Sequence, residues 1–162
     1  MGASSQTVTL SGSTIWAEKD ILPIRNVPVV RPQWPVVPPS RQQVAEAVDE
    51  AVTRWDVDSS SAYFAIALEL TWELDYTLLS GLAAGLADFT LAHLPARQPL
   101  IIIIEHDYAR VLGQTVKGLI GERPLLVIDQ VGLQEGDYID IGRPMLEGRV
   151  VPLSVKTLIF YH

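Results

Sequence analysis

The sequence contains no cysteine among its 162 residues. Disulfide bonds, zinc sites with thiolate ligands and thiol catalysis are therefore excluded. Histidine is scarce as well, with three copies, and no two of them have the His-x-x-x-His spacing of a helical zinc site. The sequence also lacks a Walker phosphate loop and a Gly-x-Ser-x-Gly nucleophile turn, so the corresponding nucleotide and serine hydrolases are excluded.

Basic residues and long apolar runs are also few. Twelve lysines and arginines against 19 aspartates and glutamates give a formal net charge of −7. The basic residues are scattered along the chain, so a nucleic-acid partner is not expected. The most apolar long stretch, 78–94, contains Asp88 and His93 and is shorter than a membrane-spanning helix. The N-terminus lacks the pattern of a secretory signal peptide, and together these features predict a cytoplasmic protein.

The hydrophobic fraction of 48% predicts a folded chain. Its length is sufficient for one hydrophobic core and short for two, so we predict a single domain, residues 1–162. Within it, the pattern indicates an extended N-terminal segment (1–30), a proline-rich connector (31–39), an α/β core (40–131) and a β-rich C-terminal part (132–162).

The connector leads into a first helix. Its prolines lack amide donors and fix φ, which favours a stiff extended segment, with a proline-motif ligand for an aromatic groove as the alternative. Ser40 and Gln43 have the spacing of a capping box. From Val44 to Trp55, apolar residues recur at helical spacing, which predicts a surface helix with one buried side.

Alternating strand and helix patterns predict the fold class. Apolar runs at 62–70, 100–104 and 125–129 are typical of buried strands, and helical patterns lie between them at 75–94 and 107–120. This order implies βαβ crossovers, so we predict an α/β fold with a mainly parallel sheet and helices on both faces.

Two further patterns add detail to the predicted α/β fold. After residue 131 the pattern changes to short strands at 138–141, 150–153 and 155–160, which predicts an antiparallel region at the C-terminus. In the second helix, Gly81-x-x-x-Gly85 forms a stripe of small residues, and we expect it to allow close packing against the sheet.

Acidic residues follow the predicted parallel strands, and ligands of open parallel sheets bind outside the carboxyl ends of the strands. The residues concerned are Glu69, Glu73, Glu105, His106, Asp107 and Asp129. Such a group could hold Mg²⁺ or transfer protons, with Glu105, His106 and Asp129 as the metal candidates. The structural alternative is that Asp107 caps the following helix and that Glu105 is a solvated strand end.

The stretch EGDYIDIGRP, residues 135–144, is similar to the strand and turn that open the phosphate site of actin-like ATPases. A phosphate-binding turn needs consecutive backbone amides, but Gly142 is soon followed by Pro144, which has no amide hydrogen. The carboxylates of the stretch would also repel an anion. We therefore predict a turn at Gly136 and Asp137, a short strand and a second turn at Gly142.

Four stretches of the chain resemble a known family in the same order. They are LSGSTIW (10–16), LPIRNVPVV (22–30), EGDYIDIGRPM (135–145) and VVPLSVKTL (150–158). With the pattern of the intervening residues, the likeness extends over essentially the whole chain. The chain is similar to the C-terminal part of the EutA family, the reactivating factors of ethanolamine ammonia-lyase.

The resemblance implies a function larger than this chain. Proteins of this family belong to the actin-like ATPase superfamily and use ATP and magnesium to release damaged cobalamin from the lyase and admit adenosylcobalamin. Their phosphate-binding motifs precede the matched segment and are missing here. The resemblance therefore implies a non-enzymatic fragment without catalytic, cofactor-binding or metal residues, located in the cytoplasm or inside a bacterial microcompartment.

The implied partners are the lyase, the ATPase core of the longer protein and another copy of the chain. Candidate contact residues are exposed aromatic and polar side chains at turns: Trp16, Arg25, Asn26, Trp34 and Tyr138. Alternatively, Trp16 and Tyr138 face the core, and Arg25 pairs with Asp137 or Asp140. The competing function is an autonomous module that binds a small ligand or Mg²⁺ through the carboxylates at the strand ends.

Overall fold

The computed structural model describes residues 2–10, 22–55, 63–143 and 152–160. The strands in these ranges are β1 (Gly2–Leu10), β2 (Ile24–Val30), β3 (Ala65–Ala67), β4 (Leu100–Ile104), β5 (Leu125–Asp129), β6 (Tyr138–Ile141) and β7 (Pro152–Phe160). The helices are α1 (Arg41–Arg54), α2 (Tyr76–His93) and α3 (His106–Ile120).

The strands form one seven-stranded sheet in the order β1-β7-β6-β2-β3-β4-β5. Strands β2 to β5 run parallel to one another. On the other side of β2, the strands β6, β7 and β1 are joined by antiparallel pairings. The predicted α/β class, with a parallel region and antiparallel strands toward the C-terminus, is confirmed.

The placement of the helices differs from the predicted cover on both faces. Strands β2 to β5 lie side by side in chain order, so every crossover steps in the same direction along the sheet. Crossovers of one hand that step in one direction place their helices on one face. All three helices accordingly share one hydrophobic cluster with the same face of the sheet.

The opposite face of the parallel strands carries a second hydrophobic cluster, which continues onto the neighbouring antiparallel strands β6 and β7. Alternation along β4 assigns Ile102 and Ile104 to the helix cluster, and Ile101 and Ile103 to a second cluster. This second cluster includes Leu126 and Ile128 of β5 and the buried residues Ile139, Ile141 and Leu153 of β6 and β7. Strands β4 and β5 are thus buried on both faces, although the three helices lie on one of them.

The sequence signals for α1 and α2 give the expected helices. Ser40 and Gln43 form the predicted capping box at the start of α1, and Asp75 caps α2 by accepting from the amide of Leu78. The stripe in α2 serves a different contact from the one we predicted, because α1 and not the sheet approaches Gly85. A Cβ atom added at Gly85 would lie 2.6 Å from Cβ of Val44.

Three predicted boundaries are corrected. The run 62–70 contains a strand of only three residues, 65–67, because its neighbour β2 pairs with it only through Val29 and Val30. The segments 150–153 and 155–160 belong to one strand, β7, as far as the structure describes them. Helix α3 begins at His106 with Glu105 in the N-cap position, so the prediction that Asp107 caps it is wrong.

Within the described residues, which extend to 143, the stretch EGDYIDIGRP forms the predicted first turn and short strand, and no turn is assigned at Gly142. A turn at Gly136, with φ of 88°, precedes β6. After β6, the amide of Gly142 donates to the carbonyl of Pro152 at 2.9 Å and joins the stretch to β7. The stretch is therefore a turn and a strand of the sheet.

Candidate functional site

A cleft of about 140 Å³ opens at the carboxyl ends of the parallel strands β2 to β5. Residues after all four strands contribute to its lining, which is the location that the strand-end rule predicts for a ligand. The lining residues are Arg31, Ala67, Leu68, Glu69, Leu70, Ile103, Glu105, Gln130, Val131, Gly132, Leu133 and Gln134.

The floor of the cleft is a continuation of the sheet beyond its regular ladder. The amide of Leu68 donates to the carbonyl of Ile103 at 2.8 Å, and the amide of Gln130 donates to that of Ile104 at 3.1 Å. These bonds keep the chain in register for one more residue after β3 and β5. The side chains that follow are thereby held at the edge of the sheet.

Arg31 joins two walls of the cleft. Its Nη1 donates to Oε1 of Gln134 at 2.7 Å, and its Nη2 forms an ion pair with the carboxylate of Glu69. The side chain of Arg31 is 24% exposed and that of Glu69 is 68% exposed. The guanidinium is therefore already neutralised by a neighbour and is not a free cation for a phosphate.

The wall formed by residues 130–137 is a compact turn. The backbone amide of Gln134 donates to Oδ2 of Asp137 at 2.9 Å, and the amide of Asp137 donates back to the carbonyl of Gln134 at 3.1 Å. Gly132 and Gly136 both have positive φ, 84° and 88°, a conformation that favours glycine. The turn is thus fixed by its own hydrogen bonds.

Arg54 at the end of α1 holds this turn from outside. Its Nη2 forms an ion pair with Glu135 and donates to the carbonyl of Arg31 at 3.2 Å. Burial alone would raise the pKa of Glu135, but hydrogen bonds from Arg54 and Trp55 and the charge of Arg54 outweigh it and lower the pKa. Helix α1 and the cleft wall are therefore joined by a charged contact.

The predicted acidic residues divide between the cleft and its surroundings. Glu69 and Glu105 line the cleft, whereas Glu73 is exposed in the loop before α2. Asp129 ends β5 and is 7% exposed. Asp107 is exposed in the first turn of α3, and nothing is described of the side chain of His106.

The metal alternative of Glu105, His106 and Asp129 stays a prediction. Within the side chains that the structure describes, no group of three His, Asp or Glu residues comes together in a way that could hold a metal ion. The side chain of His106 is not among them, so the structure describes only the two carboxylates of the predicted metal site, those of Glu105 and Asp129.

Three of the predicted contact residues lie together on the outward side of β2 and β6. Arg25 and Asn26 are exposed on β2, and Tyr138 is 37% exposed on β6, paired with Pro28. Asn26 has φ of 56°, at a shift of register between β2 and β6. We name this patch the strand surface; it comprises Arg25, Asn26, Tyr138, Asp140 and Lys156.

Polar contacts hold the strand surface together. The amide of Asn26 donates to Oδ1 of Asp140 at 2.8 Å, and Nζ of Lys156 donates to Oδ1 of Asn26 at 3.0 Å. Lys156 also pairs with Asp140 at 2.9 Å. The hydrogen bond from Asn26 is the main cause of the lowered pKa of Asp140; partial burial opposes it, and the charges of Lys156 and Arg25 assist it. The charge of Arg25 thus acts on Asp140, one of its two predicted partners.

The other two candidate contact residues differ from these. Trp34 is half-buried, its Nε1 donates to the carbonyl of Glu69 at 3.2 Å, and its ring meets that of Trp72 edge to face at 5.9 Å. It therefore supports the loop beside the cleft. Trp16 lies outside the described residues.

The sequence reasoning missed the cleft residues that follow β2 and β5. Arg31 directly follows the apolar pair Val29 and Val30, a signal for a strand end that was available. Gln130 and Gln134 follow Asp129 in a stretch that the pattern assigned only to turns. Arg31 and Gln134 are 103 residues apart, and no pattern in the sequence indicates that they are hydrogen-bonded.

Comparison with known proteins identifies the family. A family model described as "Ethanolamine utilisation protein EutA" matches residues 1–161. The chain belongs to the EutA family. It is 38% identical over 160 residues to "Ethanolamine ammonia-lyase reactivase EutA" of Salmonella typhimurium strain LT2 and 36% identical to the protein of the same name from Escherichia coli K12. Each match covers 99% of this chain and 33% of the relative, so the chain spans about a third of the length of these curated relatives. No solved structure matches the chain.

The resemblance to the EutA family drawn from four short stretches is confirmed. Three of these stretches, 22–30, 135–145 and 150–158, contain β2, β6 and β7, which are neighbours in the sheet. The fourth, 10–16, lies almost entirely outside the described residues. These three stretches therefore belong to the antiparallel part of the fold. Among the described residues, no helix is long and apolar enough to cross a membrane.

Proposed function

We propose that this EutA-family chain takes part in the reactivation of ethanolamine ammonia-lyase, and that it contributes protein contacts and no catalytic residue. The observation that carries the proposal is 38% identity over 160 residues to a protein named as the reactivase of that lyase. Identity at this level over 99% of the chain supports a shared role. The proposal assigns ATP and magnesium to portions of the longer relatives that this chain does not match, and it places the protein in the cytoplasm or a microcompartment.

The geometry of the cleft supports a role without nucleotide chemistry. A phosphate site needs free backbone amides or free cations. Arg31 is engaged by Glu69 and Gln134, and the carboxylate of Glu105 adds negative charge to the same lining. The cleft is therefore poorly suited to a nucleotide phosphate, and we derive no ATP-dependent step from it.

The strand surface is the better candidate for a contact with another protein. It presents an exposed aromatic ring, Tyr138, and a cation, Arg25, on strands that are fixed by the buried residues behind them. Tyrosine and arginine are enriched at the centres of protein interfaces. Because the backbone of a sheet is rigid, such a surface binds a partner with little loss of conformational entropy.

The test is sedimentation velocity of the purified chain with and without inactivated ethanolamine ammonia-lyase. We expect the chain to co-sediment with the lyase, and the double substitution Arg25→Ala with Tyr138→Ala to weaken this binding at least about tenfold. Tyr76→Ala is the matched control, because Tyr76 is 85% exposed at the start of α2 and away from the strand surface. If the chain does not bind the lyase while a full-length reactivase does, recognition of the lyase lies in, or needs, the part of the relatives that this chain does not match, and binding by this chain on its own is excluded.

A further inference from the structure

The cleft at the strand ends offers apolar surface to a ligand. Ala67, Ile103 and Leu133 are nearly buried residues of its lining, with exposed fractions of 7%, 1% and 7%. At its mouth, Val131 is 69% exposed. A valine that remains this exposed beside an apolar recess gains free energy when another apolar group covers it.

The charges of the lining are unequal. Arg31 and Glu69 neutralise each other, and Gln134 satisfies a further donor of the guanidinium. Glu105 is partly buried at the N-cap of α3, yet its side chain makes no capping bond and has no polar partner among the described residues. The lining therefore retains one carboxylate that the start of α3 stabilises only through the helix dipole and that can still pair with a cation.

The size of the cleft limits the ligand to a small group. Pockets for drug-sized ligands measure roughly 300 to 1,000 Å³. The cleft, at about 140 Å³, is well below that range. A short alkyl chain with a compact cationic end fits these dimensions, whereas a nucleotide does not.

We propose that the cleft binds a protonated alkyl amine, with its ammonium group on the carboxylate of Glu105 and its alkyl stem against Val131 and Leu133. The side-chain amide of Gln130, whose NH₂ donates to the carbonyl of Val131 at 3.3 Å, offers its oxygen as a second acceptor. A primary amine is charged near neutral pH, as lysine is. A lysine side chain of another protein and a free small amine present this same chemistry.

The first experiment is an NMR titration of the ¹⁵N-labelled chain with n-butylammonium chloride, with n-butanol as the uncharged control. We expect saturable shifts of the backbone amides of residues 68–70 and 130–134 with the amine and weaker ones with the alcohol. Glu105→Gln should weaken binding about fivefold, the loss expected for a partly exposed ion pair. Glu122→Gln is the matched control and should leave binding unchanged, because Glu122 follows the opposite end of α3.

A second arm distinguishes the two sources of the amine. An extended peptide with lysine between apolar residues should bind at least about tenfold more tightly than n-butylammonium if the natural ligand is a protein segment. Equal affinities would assign the site to a free amine. The absence of saturable shifts at these amides, or equal binding by the wild-type and Glu105→Gln chains, would overturn the proposal and leave the lyase contact of the strand surface untouched.

Discussion

The two faces of the parallel sheet belong to two different hydrophobic clusters. On one face, α1, α2 and α3 pack on strands that precede or follow them directly in the chain. On the other face, a second cluster runs across the parallel strands to β6 and β7, and β6 pairs with β2, which is remote from it in sequence. The helix side depends on apolar packing between near neighbours, whereas the strand side adds polar contacts between residues more than 100 positions apart.

The two sides therefore differ in the sequence information that specifies them: local signals for the helices, and contacts between remote residues for the strands. The helix side follows from local signals, because caps and periodicity determine where each helix lies and which side it buries. The strand side needs a fixed register between remote segments, and side-chain bonds such as those of Asn26 with Asp140 and Lys156 provide it. Both candidate surfaces, the cleft and the strand surface, include residues brought together by such remote contacts.

The largest expected effect tests the packing of the helix side. In Gly85→Ala, the new methyl group would lie 2.6 Å from Cβ of Val44 and 2.7 Å from the carbonyl oxygen of Arg41. We expect the free energy of unfolding to fall by about 1 to 3 kcal/mol in urea denaturation, because α1 must move away.

Gly81→Ala is the matched control in the same helix. A Cβ atom there meets no other atom within 4 Å. We expect this substitution to raise the stability by up to about 1 kcal/mol, since alanine favours helix more than glycine does. Equal destabilisation by both substitutions would contradict the close approach of α1 at Gly85.

A somewhat smaller effect is expected on the strand side. Asn26 has φ of 56°, so Asn26→Ala should be strained, and Asn26→Gly should lose the bond to Lys156 without that strain. We expect alanine to be about 1 to 2 kcal/mol less stable than glycine at this position in urea denaturation. If the two variants are equally stable, the left-handed conformation at the register shift is wrong.

The N-cap of α1 tests whether a local sequence signal contributes to the stability of the fold. Ser40→Ala removes the side-chain oxygen that accepts from the amide of Gln43, at 3.2 Å. We expect a loss of about 1 kcal/mol in the free energy of unfolding, and Ser40→Asp should restore most of it because aspartate is also a good N-cap residue. A neutral Ser40→Ala would mean that packing alone determines where α1 begins.

The smallest expected effect is a dependence on pH. The pKa of Asp140 is below its ordinary value, so its ionised form stabilises the fold at neutral pH, and this contribution is lost as the pH falls through the lowered pKa. Asp140→Asn should therefore be less stable than the wild type at pH 7, by under about 1 kcal/mol for this surface group. The difference should vanish in denaturation curves measured at acidic pH; a constant difference would exclude the ionised contact.

The sequence was most informative where one segment determines its own structure. The bounds of β4 and β5 agree with the apolar runs 100–104 and 125–129, because each run is short, apolar and bounded by residues that end a strand. Asp107 shows the limit of such reasoning. Its residue type suits a cap, but the backbone becomes helical one residue earlier, at His106.

For the candidate site, the sequence predicted the place and only part of the lining. Glu69 and Glu105 were expected there because they follow parallel strands. Arg31 and Gln134 were not, since their contact depends on the turn 134–137 reaching the end of β2, and the amide of Val29 donates to the carbonyl of Asp137 at that point. The position of Arg31 between Gln134 and Glu69 thus leaves Glu69 paired with a cation in the cleft.

The sequence by itself determined the class of fold, the positions of the helices along the chain and the family, because periodicity, caps and short matched stretches are local properties. The tertiary structure decided that all three helices share one face of the sheet and that the other face joins the parallel and antiparallel strands in a second cluster. It also decided that Glu69 pairs with Arg31, whereas the side chain of Glu105 has no polar partner among the residues that the structure describes. These outcomes depend on the direction of the crossovers and on contacts between remote residues, and no local pattern specifies either of them.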